Sequence, residues 1–123
     1  MTDYLTVAEV LAIHDDQIER YGGASGVRDR GLLESALFRP QTGYYLDLIE
    51  EAAALWESLS QNHPFIDGKK RTAFAATYTF LAINQRRLTG SASETEDFVL
   101  NLYVIGSFDF DHLCRWLRSN VSL

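Results

Sequence analysis

Apolar residues recur at intervals of three and four along most of this chain, and nowhere do they alternate with polar ones long enough to make a strand. The clearest run is Leu46, Ile49, Ala52, Ala53, Trp56 and Leu59, which predicts a helix ending near Asn62. Before it, Thr6 followed by Glu9 is a capping box, and Val7, Val10, Leu11, Ile18 and Tyr21 carry a first helix to Gly22 and Gly23. The stretch GGASGVRD, residues 22–29, is a loop by its glycines, and Asp29 can cap a short helix GLLESALF that Pro40 terminates. Beyond Asn62, a fourth helix starts at about Lys69 and runs through Phe74, Phe80 and Ile83. Its alanines allow close approach, so it is expected to be the central, most buried helix. Arg86 and Arg87 would complement the dipole at its end. Ser93 with Glu96 predicts a capping box for a fifth helix closed by Gly106, and Asp109 a cap for a sixth. The expected fold is a single all-α bundle of about six helices, one domain over residues 1–123.

The charge balance narrows the functional classes. Seventeen acids against eleven bases leave a formal net charge of −6, which argues against a general grip on nucleic acid. The opening MTDYLTVAEV lacks a signal-peptide layout and no apolar run is long enough to span a bilayer, so the expected place is the cytoplasm. The single cysteine, Cys114, excludes an internal disulfide and reads as a small core residue.

Against this acidic background, HPFIDGKKRTA, from His63 to Ala73, stands out. Pro64 restricts His63 to extended backbone, so His63 belongs to a loop and does not share a helical face with Asp67. That disfavours a helical zinc pair, and no second histidine or cysteine lies near. Gly68 permits a tight turn, and a helix opening at Lys69 directs its unpaired N–H groups and positive dipole end into that turn. Lys69, Lys70 and Arg71 add full charges where cations are unfavourable by a few tenths of a kcal/mol each, and a bound polyphosphate supplies the compensation. The same residues also describe a loop passing into a solvated basic turn, with His63 an ordinary surface histidine and Asp67 an N-cap. Elsewhere, His14 reads as a helical histidine hydrogen-bonded at the edge of the core, and Tyr44 with Tyr45 as a cover for the core rather than a stacking platform. Arg28, on the glycine-rich loop, is a second-tier candidate.

The motif resembles the signature of the Fic/Doc family, and Lys70 gives it the look of the Doc, or death-on-curing, branch. LTVAEVLAIHDDQIERYGG, GVRDRGLLESAL and the following Arg39–Gln41 extend the resemblance over nearly the whole chain. It implies a toxin of a type II toxin–antitoxin pair, a protein kinase that moves the γ-phosphate of ATP to a threonine of elongation factor Tu and stops translation. Matched by position, His63 is the group that takes the proton from the target hydroxyl, and Asp67 the acid that engages nucleotide-bound Mg²⁺. Gly68, Lys70 and Arg71 form the phosphate cradle, and Phe65 anchors the loop. The resemblance also implies an antitoxin that docks an amphipathic helix in a groove beside the site, expected along the second and fourth helices.

Two positions bear on the activity. Where the family pattern has asparagine this chain has Lys69, which offers only donors and is longer, so a non-catalytic module binding nucleotide or antitoxin is the alternative. Phe74 stands where AMP-transferring relatives carry a distal arginine, which makes AMP transfer the weaker enzymatic reading.

Overall fold

The computed structural model describes residues 1–62, 64–66 and 68–122; His63, Asp67 and Leu123, and the side chain of Lys69, lie outside the described part. Helix α1, Val7–Tyr21, starts on the anticipated capping box: Thr6 Oγ1 accepts the Glu9 N–H at 3.2 Å and Glu9 returns a carboxylate oxygen to the Thr6 N–H at 2.8 Å. It stops at Gly22, whose φ of 85° an L side chain tolerates poorly. Helix α2, Arg30–Phe38, is capped by Asp29 and gives way to a 3₁₀ turn at Arg39–Gln41 that holds Pro40. Helix α3, Leu48–Gln61, begins two residues later than its first periodic leucine because Asp47 caps it.

Helix α4 spans Lys69–Ile83, α5 Ala92–Ile105 and α6 Phe110–Asn120. The cap of α5 is Ser91, which accepts the Glu94 N–H at 3.1 Å, and not Ser93. Two Ser-x-x-Glu frames overlap there. The earlier one is selected because Thr89 is already tied to Asn120 by a 2.7 Å backbone bond, which fixes where the chain enters the helix. At the end of α4, the Arg86 backbone N–H meets the Leu81 carbonyl at 2.9 Å and Asn84 Nδ2 meets that of Phe80 at 2.8 Å. Those bonds satisfy carbonyls at the helix end, and both Arg86 and Arg87 lie beyond it. Arg87–Leu88 (β1) then pairs antiparallel with Val121–Ser122 (β2), two residues each and too short to leave a sequence pattern.

The fold is all-α, and its centre is α3 rather than α4. Along α3, Ala52 through Trp56 are buried consecutively, with Ser58, Leu59 and Ser60 beyond them, so α3 is enclosed on nearly every side by α2, α4 and α6. Trp56 is the hub, with the rings of Phe74, Phe98, Phe108 and Trp116 at 5.5 to 6.5 Å. Helix α4 buries Ala73, Ala76, Phe80 and Leu81 and leaves Phe74 and Tyr78 on an open side. Helix α5 is carried by two stacked pairs, Phe98 on Trp116 at 4.7 Å and Tyr103 on Phe108 at 4.4 Å. Between α1, α4 and α5 this leaves a cleft of 1130 Å³.

Candidate active site

The loop that enters α4 is fastened to the glycine-rich loop by backbone. The Pro64 carbonyl accepts the N–H groups of Arg28 at 2.8 Å and Asp29 at 3.2 Å. Ile66 donates to the Gly26 carbonyl at 3.2 Å, and Val27 and Phe65 form an antiparallel bridge. A Cβ at Gly26 would stand 3.1 Å from Ile66 Cδ1, so the close approach of the two loops needs glycine there. Pro64 is fully buried and Phe65 is 3% exposed, its ring lying on that of His14 at 4.0 Å and 6°. Pro64 and Phe65 therefore rest on the core, while Ile66 beside them is exposed.

Gly68 is the N-cap of α4 and has left-handed backbone, φ 72°. A side chain there would meet Ile18 Cδ1 at 3.0 Å and the Arg71 Nη2 at 3.4 Å. Every other α-helix begins under a capping side chain, from Thr6, Asp29, Asp47, Ser91 or Asp109, whereas no side chain among the described residues caps α4. The first N–H groups of an α-helix have no partner within it, so α4 directs donors and the positive end of its dipole to the turn at Gly68.

The described cations of the first turn, Lys70 and Arg71, both line the cleft. Lys70 Nζ stands 4.1 Å over the ring of Tyr103 on α5. Arg71 Nη2 donates to the Gly22 carbonyl at 2.9 Å, and its guanidinium lies 5.5 Å from the Tyr21 ring. Each cation thus spans from α4 to one wall of the cleft, and these contacts, a ring face for Lys70 and one carbonyl with a ring for Arg71, do not use all of its donors. Gly68, Lys70 and Arg71 are brought together as one turn, and Arg28 reaches it through its backbone bond to Pro64 while its side chain is exposed. His63 and Asp67, the expected base and metal ligand, fall outside the described residues, as does the Lys69 side chain. Among the described residues no group of three or more histidine, cysteine or acidic side chains could hold an ion. What this turn fits is a phosphate group. A nucleotide-borne Mg²⁺ needs only one or two protein carboxylates besides phosphate oxygens.

Sequence reasoning missed three contacts of this region: His14 under Phe65, Tyr103 under Lys70, and Gly22 with Arg71. Only the spacing of His14 and Ile18, which puts both on one face of α1, could have flagged the first. The other candidates stay clear of the cleft. Tyr44 is 82% exposed, while Tyr45 is half-buried against Phe110 and accepts from Arg39 Nε at 2.7 Å. Arg39 also reaches Glu57 at 2.7 Å and Ser58 at 2.8 Å, which staples the 3₁₀ turn to α3. Burial pushes the Cys114 thiol up, against a nucleophilic role. The cleft also differs from the groove expected along the second and fourth helices: α1, α4 and α5 line it, and α2 lines a separate depression with Tyr4 to Val7.

Known proteins agree with the family resemblance. The profile of the Fic/DOC family matches residues 4–81. The chain is 48% identical over 89 residues to Toxin Doc of Mycolicibacterium smegmatis, covering 68% of this chain and 66% of that protein, just under two thirds of its length. It is 34% identical over 85 residues to Protein kinase doc of Escherichia phage P1, covering 66% of this chain and 68% of that one. With more than half of its length matched by the family profile, this chain belongs to the Fic/DOC family.

Proposed function

We propose that this protein is a toxin kinase that transfers the γ-phosphate of ATP to a threonine hydroxyl of elongation factor Tu, stopping translation, and that a cognate antitoxin restrains it. The observation that carries this reading is the start of α4: a left-handed glycine, no capping side chain among the described residues, and Lys70 and Arg71 at the mouth of a large cleft. The phage relative bears the name protein kinase, which points the same way.

In this reading, His63 removes the proton from the target hydroxyl as its oxygen attacks the γ-phosphorus. The bond from that phosphorus to the β–γ bridging oxygen breaks, and ADP leaves with the electron pair. Asp67 would hold Mg²⁺, which when bound spreads the charge of the phosphates. The N-terminal N–H groups of α4, Lys70 and Arg71 bind the phosphate oxygens. Magnitudes allow this: a cation–π contact at an exposed site contributes about 0.5–1 kcal/mol, a charge-assisted hydrogen bond about 1.5–3, so a phosphate draws Lys70 from Tyr103. Arg71, with five donors, can keep Gly22 and still bind phosphate. Phe74 favours phosphate over AMP transfer. It packs on Trp56 at 5.5 Å and gives the cleft an apolar wall where a distal arginine would serve AMP transfer.

The cleft suits the antitoxin. Phe74, Tyr78, Val99 and Leu100 offer an apolar floor and Lys70 with Arg71 a basic end, which matches an amphipathic helix carrying acids at one end. The test is expression of the protein and of His63→Ala at equal levels. Growth arrest by the former alone, with equal melting temperatures, is the expected result. Arrest by both would overturn the role of His63, and arrest by neither the toxin reading.

A further inference from the structure

His14 is 1% exposed and has no part in the transfer step described above, yet it lies under both halves of the site. Its ring face carries Phe65, 4.0 Å away and nearly parallel at 6°. Its Nε2 stands 3.8 Å from the place a Gly68 Cβ would occupy, so the polar edge of the ring faces the turn that starts α4. Ile18, one turn further along α1, approaches the same place to 3.0 Å. One imidazole on α1 thus stacks on the aromatic that seats the loop and turns its edge toward the glycine that opens α4.

We propose that His14 is a positioning residue: its face fixes the height of the loop through Phe65, its nitrogen edge fixes the turn at Gly68, and together they set the loop against the start of α4. The chemistry explains why imidazole serves both ends. An aromatic ring alone supplies the stack, but its edge would press hydrocarbon against a turn rich in backbone donors and acceptors, which need polar partners when buried. A flexible polar chain supplies the edge without the face. The phosphate-binding groups travel with α4, whereas the residue that meets the target hydroxyl travels with the loop. A shift between them therefore lowers turnover more than nucleotide binding, and misplacement of about 1 Å can cost roughly 100-fold.

The inference rests on the kinase reading for its activity arm only, and two substitutions test it. His14→Phe keeps the face and removes the nitrogen; His14→Gln keeps a nitrogen near the Nε2 position and removes the ring. His14→Phe is expected to lower kcat for γ-phosphoryl transfer at least tenfold with KM for ATP changed less than about threefold, and His14→Gln to recover most of that kcat. Wild-type kcat in His14→Phe, or equal loss in both variants, would overturn it. A second readout is independent of turnover: the Thr72 amide makes the first backbone bond of α4, to the Gly68 carbonyl at 3.0 Å. Its hydrogen exchange should quicken at least tenfold in His14→Phe and return towards wild type in His14→Gln. Unchanged exchange in a folded His14→Phe would overturn the inference. Absence of transfer by the wild-type protein would count against the kinase reading alone.

Discussion

Phe65 joins the loop to the core, since its ring is buried on His14 while its backbone bridges Val27. Truncating a buried phenylalanine removes its transfer energy and leaves a cavity. Phe65→Ala should therefore lose about 3–5 kcal/mol of stability in urea unfolding, and an unchanged midpoint would contradict the anchor. Lys69 poses the opposite question, because it stands where the family pattern has asparagine. Three adjacent cations repel one another and Lys69 has no acceptor, so Lys69→Asn should raise the rate of phosphate transfer at matched folding. Equal rates would show that lysine serves as well. At this scale the motif made Gly68, Lys70 and Arg71 readable, because their chemistry lies in a few consecutive residues. Tyr103 and Gly22 were not readable. Their contacts with the cations join parts of the chain far apart in sequence, and nothing local announces them.

Helix boundaries were legible at Thr6, Asp29 and Asp109, and not at α3, where periodicity starting at Leu46 hid the cap at Asp47. They were not at α5, where Ser91 and Ser93 both head a Ser-x-x-Glu frame and the tertiary bond at Thr89 decides. The burial order also escaped the pattern, since alanines in α3 and α4 look alike, and only the cleft beside α4 exposes one side of it. Asp47, which caps α3, shows what such an element contributes. Burial opposes its ionisation, but the Glu50 N–H and the Arg118 guanidinium at 3.0 Å outweigh that and hold its carboxyl below the usual carboxylate range. A depressed folded pKa adds stability above the unfolded value of about 3.9 and loses it as pH falls through the folded value. Asp47→Ala should cost about 0.5–2 kcal/mol at pH 7, mostly through the cap, because a half-exposed ion pair with Arg118 adds little. The difference from wild type should shrink below about pH 4. Asp47→Asn, which still caps, should keep most of the stability at pH 7. A pH-independent deficit in Asp47→Ala would contradict the assignment.

Over the whole molecule, the all-α class followed from helical periodicity, but the cleft did not, because it is a property of how α5 stands off from α1 and α4. An amphipathic antitoxin segment laid in it would order on binding, so neutralisation should be coupled to folding of that segment. Co-expressed with the antitoxin, the two should elute together on a sizing column, and Phe74→Ala with Tyr78→Ala should weaken the association at least tenfold; separate elution of the unaltered pair would remove the cleft as the docking site. Transfer at the turn between His63 and Arg71 can be followed by the label carried by ATP. The protein is incubated with elongation factor Tu and Mg²⁺ with ATP labelled at either the γ- or the α-phosphate. Label on the target from the γ position only, lost in His63→Ala, is the predicted result. Label from the α position would mean AMP transfer, and no label from either in the folded protein would make this chain a binding module.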